Sequence, residues 1–290
     1  MNIPLFRPPA EADSLILQID QGCPHNRCTF CGMYRNVPYR RRTPSEVRTL
    51  IADATRREPH AQRVFLADGD VMLRPFADLE TMLTLLGEAL PRLTRVNTYA
   101  NGRSIAAKSE SELRRLRSLK LHTLYMGLES GDDEILARCR KNESVAQMVK
   151  AGGMAQAAGL RMSVMVLLGL GGVERSGDHA ARTADALNRM QPRLLSALRV
   201  IPVEGTELHA ETVDGRFRPL TEWAAVGELR ELVARLDLRG TVFRANHASN
   251  VVPVEARFPH DKERLLASLD VMLRGNALDK RSPGRTPLWL

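Results

Sequence analysis

The chain has 290 residues and a mass of 32.3 kDa, with 43% hydrophobic and 26% charged residues, which is ample for a sizeable core. Its 42 Lys and Arg residues against 34 Asp and Glu residues give a net charge of +8, a modest excess that favours anionic partners without requiring nucleic acid. No apolar run reaches the roughly 18 residues of a transmembrane helix. The N-terminus lacks a basic start followed by an apolar stretch. We therefore expect a cytoplasmic protein without a membrane segment.

Short strand-like runs alternate with longer helix-like segments along the chain. The predicted strands are Leu15–Asp20, Arg63–Ala67, Leu93–Thr98, Thr123–Leu128, Met162–Leu168, Ala197–Pro202 and, as the last strand, Thr241–Ala245. A helix opens at Thr43-Pro44-Ser45-Glu46, and further helices are predicted at Phe76–Leu90, Glu110–Leu119, Ser144–Ala158, Asp178–Met190, Trp223–Leu236 and Asp261–Arg274. The strands are apolar runs rather than alternating patterns, which is typical of a parallel sheet covered on both faces.

The order of these elements predicts an α/β fold, a partial (βα)6-type parallel barrel with a C-terminal helical extension. We expect a single domain over residues 1–274. The remaining segment, 275–290, contains Pro283, Gly284 and Pro287, a composition typical of a poorly ordered tail.

Three of the four cysteines, Cys23, Cys28 and Cys31, lie within nine residues just after the first predicted strand. Four cysteines are too few for a disulfide scaffold. Three thiolates on a short loop can wrap one face of an iron–sulfur cluster and leave one iron open. A zinc site with His25 or His60 as the fourth ligand is the alternative, although a second Cys-x2-Cys pair is absent. The fourth cysteine, Cys139, is expected to be an ordinary thiol.

With Phe30 before the last cysteine, this loop resembles the C-x3-C-x2-C signature of the radical SAM superfamily, which follows the first strand of a partial βα barrel. The spacing here is C-x4-C-x2-C, one residue longer. The resemblance implies that Cys23, Cys28 and Cys31 ligate a [4Fe–4S] cluster whose open iron chelates S-adenosylmethionine. It also implies reductive cleavage of S-adenosylmethionine to methionine and a 5′-deoxyadenosyl radical, with an electron donor such as flavodoxin or ferredoxin.

Two further motifs follow the second and third predicted strands. Asp68-Gly69-Asp70 resembles the family's Gly-Gly-Glu motif, which implies binding of the methionine ammonium, although a strand-to-helix turn has the same composition. Asn101 and Arg103 could reach the ribose hydroxyls or the methionine carboxylate, but Asn-Gly is also a common turn.

Two more motifs end the fourth and fifth predicted strands. Glu129 lies in a stretch similar to the Gly-Ile-Glu-Ser-Gly motif of the coproporphyrinogen-oxidase-like and B12-associated branches, which implies a contact with the ribose or the ammonium. Its place at the carboxyl end of a parallel strand is where barrel sites form. Gly169 lies in a segment that resembles the family's glycine-containing stretch beside adenine. The segment lacks the Gly-Lys-Ser/Thr ending of a phosphate loop. The stretch 202–208 resembles the Pro-x-x-Gly-Thr-x-Leu sequence of the same branches.

Two polar segments remain without a motif. The run Arg40, Arg41 and Arg42, with Arg35 and Arg48 nearby, could bind RNA phosphates or an anionic substrate, but a charge run is more often a solvated face. In a parallel barrel, the segment after the last predicted strand lies on the same face as the cysteine loop, because the carboxyl ends of all strands are on that face. This segment is therefore predicted to line the substrate pocket. A polar loop that closes the barrel is the alternative. The candidate residues of this segment are Asn246, His247 and Asn250.

The sequence therefore predicts a radical SAM enzyme that abstracts hydrogen from a small organic substrate. An RNA- or peptide-modifying radical SAM enzyme is the alternative, and a non-catalytic iron–sulfur or zinc-binding module is the alternative from another class. Only Cys139 remains outside the cysteine loop, so we expect no second cysteine-ligated cluster. The first strand starts about fourteen residues in, so we also expect no cobalamin-binding domain ahead of the barrel.

Overall fold

A computed structural model of the chain describes residues 5–284. The strands are β1 (Leu15–Gln18), β2 (Asp20–Gln21), β3 (Arg40–Arg41), β4 (Arg63–Ala67), β5 (Arg95–Tyr99), β6 (Leu121–Glu129), β7 (Arg161–Leu168), β8 (Leu194–Arg199), β9 (Thr241–Ala245) and β10 (Val254–Phe258). The helices are α1 (Pro44–Arg57), α2 (Phe76–Ala89), α3 (Gly102–Ala106), α4 (Glu110–Ser118), α5 (Asp133–Arg138), α6 (Val145–Ala157), α7 (Gly172–Met190), α8 (Glu207–Val213), α9 (Glu222–Arg235) and α10 (Lys262–Arg274).

Eight of these strands form one sheet in the order β1-β4-β5-β6-β7-β8-β9-β10. The pairs β1–β4, β4–β5, β5–β6, β7–β8 and β8–β9 are parallel. Strands β2 and β3 form a separate antiparallel pair. The predicted fold class, a mostly parallel α/β fold, is confirmed.

The prediction that Thr241–Ala245 is the last strand is wrong. Strand β10 follows it and pairs with β9 in the antiparallel direction. Only Ala256 and Phe258 of β10 are buried, whereas its other three residues are not. An edge strand with one buried face alternates in polarity, so it lacks the apolar run that identified the central strands.

Helix starts follow local capping chemistry. The predicted opening of α1 is confirmed: the Thr43 hydroxyl accepts a hydrogen bond from the Glu46 N–H at 3.3 Å, and the Glu46 carboxylate accepts one from the Thr43 N–H at 2.7 Å. Ser109 and Glu112 repeat this capping box at α4. Such a box satisfies two backbone N–H groups that the helix itself leaves unpaired, and so fixes the residue at which the helix begins.

The chain divides into two compact units. The first comprises residues 33–126 and 150–162 together with the chain up to residue 26. In its core, the ring of Phe65 packs edge to face against Tyr99 and Tyr125, with ring centroids 5.1 and 5.8 Å apart. Near the N-terminus, the buried carboxylate of Glu11 accepts a hydrogen bond from Asn97 on β5 at 2.9 Å. The N-terminal segment is therefore anchored to the sheet of this unit.

The second unit comprises residues 27–32, 127–149 and the chain from 163 onward. Its apolar core includes Phe217, over whose ring the Arg138 guanidinium lies at 5.4 Å. The other buried members of this cluster are Ile135, Cys139, Leu170, Val200 and Leu208. Helices α7 and α9 pack against each other, with Leu187, Leu229 and Val233 among the buried side chains.

The predicted flexible tail, 275–290, lies partly outside the described residues, which end at 284. Within them, the carbonyls of Asp279 and Ser282 accept hydrogen bonds from the backbone N–H groups of Trp223 and Glu222, both at 3.0 Å. Among the described helices, none combines the length and apolar character needed to cross a membrane.

Candidate functional site

The three candidate ligands lie on the loop that follows β2. Cys23 belongs to the first unit, and Cys28 and Cys31 belong to the second. All three are partly exposed cysteines outside any disulfide of the described residues, in contrast to the buried Cys139. Among residues 5–284, no three His, Cys, Asp or Glu side chains are close enough to hold one metal ion. Three accessible soft thiolates on one short loop fit a cluster, because each would ligate a different iron.

Gly69 joins the cysteine loop to the end of β4. Its N–H donates to the carbonyl of Gly22 at 3.2 Å. A Cβ at position 69 would lie 2.5 Å from the Cα of Cys23, closer than atoms can approach. Only glycine fits here, so the Asp68-Gly69-Asp70 segment is held directly against the first predicted cluster ligand.

Asp68 is a fully buried carboxylate with neutral partners. It accepts hydrogen bonds from the Gln18 amide at 2.8 Å and the Tyr34 hydroxyl at 3.0 Å. Burial raises its pKa above the ordinary value, and these two hydrogen bonds, together with one from the Gly22 backbone, only partly offset that effect. In the part of the chain that the structure describes, Asp68 makes no ion pair with a side-chain cation. Its unneutralised charge suits a cationic group such as an ammonium.

Asp70 is held by the start of α3. Its carboxylate accepts hydrogen bonds from Ser104 Oγ at 2.7 Å and from Asn101 Nδ2 at 3.1 Å. The predicted site residues Asp70 and Asn101 are therefore brought together, and Asn101 precedes a short helix rather than lying in a simple turn. Arg103, also predicted, lies exposed on α3.

Glu129 ends β6 and pairs with a residue that the sequence analysis missed. The Lys141 ammonium lies 3.1 Å from the Glu129 carboxylate, and both side chains are nearly buried, 9% and 12% exposed. Burial alone would lower the pKa of Lys141, but the negative charges of the Glu129 and Glu143 carboxylates outweigh it and raise the pKa. Lys141 follows Arg140 in a turn after α5, and no motif or spacing distinguishes it in the sequence.

Both Asp68 and Glu129 have left-handed backbones, with φ of 79° and 61°. This conformation strains residues other than glycine by on the order of 1 kcal/mol and persists only where the surroundings impose it. The two candidate acids at strand ends therefore share the same rare backbone conformation.

Gly169 and Phe30 lie in the second unit. The Gly169 N–H donates to the Glu228 carboxylate at 2.6 Å, and its φ of 80° requires glycine. Phe30 packs partly buried against the apolar cluster that contains Cys139. Burial raises the pKa of the Cys139 thiol to about 11, as expected of an inert thiol.

The polar segment after β9 makes most of its contacts within the second unit. Asn246 bonds to Glu255, and the ring Nδ1 of His247 accepts from the Ser249 N–H at 3.1 Å. Asn250 donates to the Ala197 carbonyl at 2.9 Å and, of these three predicted residues, lines a cleft of about 550 Å³. Their role toward a substrate stays a prediction.

The arginine run is largely engaged with its own unit. Arg40 pairs with Glu46 at 2.8 Å, and Arg42 donates to the Gln18 carbonyl at 3.1 Å. Arg35 and Arg48 are exposed and, within residues 5–284, have neither a hydrogen bond nor an ion pair through their side chains. They are the members of this group that could contact an anionic partner.

The sequence profile of the Radical SAM superfamily matches residues 17–183, more than half of the chain. The chain belongs to the radical SAM superfamily. It is therefore an enzyme of a superfamily whose members generally use a [4Fe–4S] cluster and S-adenosylmethionine. The matched range contains all three loop cysteines, Asp68 and Glu129.

Among curated proteins, the tRNA uridine(34) acetyltransferase of Methanocaldococcus infernus is 23% identical over 246 residues, 70% of this chain and 46% of that protein. The radical SAM chain thus spans about half the length of this relative. Among solved structures, Methanocaldococcus infernus Elp3 with an N-terminal deletion aligns with a TM-score of 0.54 and 17% identity, over 79% of this chain and 59% of that one. Methylornithine synthase (PylB) aligns with a TM-score of 0.53 and 17% identity, over 94% and 83%. These structural likenesses show a shared fold.

Proposed function

We propose that this radical SAM enzyme binds one [4Fe–4S] cluster through Cys23, Cys28 and Cys31 and cleaves S-adenosylmethionine reductively. The 5′-deoxyadenosyl radical then abstracts a hydrogen atom from a small organic substrate. When bound, the cluster supplies an electron to the sulfonium. The observation that carries this proposal is the C-x4-C-x2-C loop directly after β1 and β2, inside the range that matches the superfamily.

The segment Asp68-Gly69-Asp70 receives the methionine ammonium in this proposal. Asp68 carries a buried charge stabilised by hydrogen bonds from neutral groups, Gln18, Tyr34 and the Gly22 backbone, so a nearby ammonium would lower the cost of its ionised form. Gly69 keeps this segment against Cys23, because no side chain fits between them. Asp70 holds Asn101 and thereby positions the loop after β5.

Glu129 accepts a hydrogen bond from a ribose hydroxyl in this proposal. Lys141 fixes the carboxylate from one side through the contact at Oε1. Gly169 has no side chain, so the adenine ring can come close to the backbone at this position. Phe30 and the apolar cluster behind it exclude water beneath the loop that carries Cys28 and Cys31.

Anaerobic purification and reconstitution test this function. We expect a brown protein that releases 5′-deoxyadenosine and methionine when a reductant is supplied, first dithionite and then reduced flavodoxin or ferredoxin. The Cys23→Ala protein is the matched control and should release neither. A colourless protein that binds zinc and yields no 5′-deoxyadenosine would instead support a non-catalytic metal-binding module.

A second candidate function is modification of a tRNA base. It is favoured by the relative named as a tRNA uridine(34) acetyltransferase and by Arg35 and Arg48, two exposed cations that have no side-chain partner among residues 5–284. To separate the candidates, we would measure 5′-deoxyadenosine release with added bulk tRNA and with an extract of metabolites. Stimulation by tRNA that is lost in an Arg35→Ala/Arg48→Ala protein would favour the tRNA function. Stimulation by metabolites that His247→Ala and Asn250→Ala abolish would support the predicted small-molecule pocket.

A further inference from the structure

Buried polar side chains connect the ends of β6 and β7 in the second unit. Ser130 follows Glu129 at the end of β6, and Gly169 follows β7. His179 lies on α7 and Glu228 on α9. The side chains of Ser130, His179 and Glu228 belong to residues that are 0%, 2% and 3% exposed. Because buried polar groups cost free energy unless they are hydrogen-bonded, their partners decide what they do.

His179 is the centre of these contacts. Its Nδ1 lies 2.8 Å from Ser130 Oγ, and its Nε2 lies 3.0 Å from the carbonyl oxygen of Leu167. A carbonyl oxygen only accepts, so Nε2 carries the proton and Nδ1 accepts from the Ser130 hydroxyl. One imidazole ring therefore joins the residue after β6 to the second-last residue of β7.

Glu228 contacts the backbone of Gly169, the residue that follows β7. One of its oxygens accepts the Gly169 N–H at 2.6 Å, and the other accepts the Ser176 hydroxyl at 2.6 Å. Ser176 lies one turn before His179 on α7. One turn after His179, Thr183 Oγ1 accepts the N–H of Gly131 at 2.9 Å. A single face of α7 thus presents polar side chains toward both strand ends.

The residue types Ser, His and Glu also occur in hydrolytic triads, but this arrangement does not suit one. Ser130 is fully buried and its hydroxyl accepts the N–H of Asp132 at 3.0 Å. The nearest Glu228 oxygen lies 3.7 Å from His179 Nε2, too far for a hydrogen bond. These contacts fix backbone rather than activate a nucleophile.

We propose that His179 and Glu228 are positioning residues. Their hydrogen bonds to Ser130, Leu167 and Gly169, called the lock below, hold the ends of β6 and β7 in one arrangement. Glu129 is then held in its strained left-handed backbone by the anchors on the two residues that follow it, Ser130 and Gly131. The lock keeps Glu129 and the backbone of Gly169 in place to bind the same molecule of S-adenosylmethionine. This inference rests on the proposed function for the choice of ligand, but not for the lock itself.

Two substitutions at position 179 test the hydrogen bonds of His179 to Ser130 and to Leu167 one at a time. An asparagine amide occupies the place of Nδ1, so His179→Asn keeps a partner for Ser130 and loses the bond to Leu167. A glutamine amide reaches the place of Nε2, so His179→Gln does the reverse. Amide hydrogen exchange of the reconstituted protein without S-adenosylmethionine should be faster at 167–169 in the Asn variant and at 129–131 in the Gln variant.

Each variant should also raise the KM for S-adenosylmethionine about fivefold, the loss of one net hydrogen bond, with kcat and iron content unchanged. Glu228→Gln keeps an acceptor for Gly169 and should stay close to the unmodified protein, whereas Glu228→Leu should speed exchange at 167–169. The control is His260→Asn, since the His260 side chain is 89% exposed.

Exchange that is unchanged in both position-179 variants, or that rises equally in both segments, would overturn the positioning role. If the unmodified protein releases no 5′-deoxyadenosine, the proposed function fails. Segment-specific exchange would still support the lock in that case, because it is measured without S-adenosylmethionine.

Discussion

Two strand ends of this protein carry an acidic residue with a left-handed backbone conformation. The two carboxylates differ in whether a side-chain cation lies beside them. Asp68, after β4, is fully buried, and its partners among the described residues are the neutral donors Gln18, Tyr34 and the backbone of Gly22. Glu129, at the end of β6, is paired with the Lys141 ammonium at 3.1 Å. The first carboxylate keeps an unneutralised charge, and the second is neutralised within its own unit.

In the proposed function, this difference gives the two acids different tasks. Burying a charge without a counterion costs free energy, and a cationic ligand offsets that cost. Asp68 therefore suits the methionine ammonium. A carboxylate whose charge is already balanced gains little from a second cation but remains a good hydrogen-bond acceptor. Glu129 therefore suits the neutral ribose hydroxyls. The sequence resemblance left both roles open for Glu129, and the Lys141 contact favours one of them.

The largest effect is expected from the cysteine loop. Changing Cys23, Cys28 or Cys31 to Ala should abolish cluster retention and S-adenosylmethionine cleavage, because each thiolate would ligate a separate iron. Cys139→Ala is the control and should keep both, since this buried thiol lies outside the loop. Iron content after anaerobic reconstitution measures the outcome. Full occupancy in the Cys28→Ala protein would disprove the assignment.

Loss of the counterion at Glu129 should have the next largest effect. Lys141→Met leaves the Glu129 carboxylate nearly buried and unpaired, which should lower the free energy of unfolding by about 3 kcal/mol. The double variant Lys141→Met/Glu129→Gln should recover most of this loss. Urea denaturation of the protein without cluster gives both values, with Lys150→Met, at an exposed position, as the control. Additive single effects would show that the pair is not coupled.

Removal of the Glu129 charge should act on ligand binding with little effect on the cluster. Glu129→Gln should weaken S-adenosylmethionine binding about tenfold, or about 1.4 kcal/mol, because an amide is a weaker acceptor for a hydroxyl than a carboxylate. Calorimetry on the reconstituted protein measures the affinity, and the visible spectrum should not change. Glu134→Gln, at a side chain 68% exposed, is the control. An affinity equal to that of the unmodified protein would return Glu129 to a structural role.

The smallest effect concerns the pH dependence at Asp68. Its pKa is raised in the folded state, so its protonation stabilises the fold below the ordinary pKa and this stability is lost as the pH rises through the folded-state value. Asp68→Asn lacks this dependence, so without ligand it should be more stable than the unmodified protein at pH 7, by about 1 kcal/mol. The gain should disappear toward pH 3. Thermal unfolding across this range tests the sign, and Asp53→Asn on the exposed face of α1 is the control. A gain independent of pH would show that Asp68 is not the titrating group.

Most of the central sheet could be predicted from the sequence because local composition decides it. Arg63–Ala67 and Thr241–Ala245 were predicted at their observed bounds, since each contains a run of adjacent apolar residues, Val and Phe, between turn or polar segments. Val254–Phe258 was missed because an edge strand with one buried face has no such run. The prediction Ala197–Pro202 lies three residues beyond β8 at both ends, since its apolar residues continue past the last paired one.

The site residues could be predicted only where the neighbouring residues in the sequence form a recognisable motif. The cysteines and Gly69 are recognisable from spacing and neighbours. Lys141 and His179 are not, because their roles depend on contacts with residues 12 and 49 positions away. Asp68 lay within a recognisable motif, but its lack of a counterion is a property of the packed protein that no local pattern indicates.

The division of the cysteine loop has a consequence for the order of events during synthesis. The unit that contains Cys23 has all of its chain once residue 162 has left the ribosome, whereas the unit that contains Cys28 and Cys31 receives contacts from Asp279 and Ser282 near the end of the chain. A nascent chain can therefore fold around its first thiol long before the other two have their final surroundings. We expect the cluster to be installed only after residues 279–282 have also emerged, so that nascent chains that end before them hold no iron.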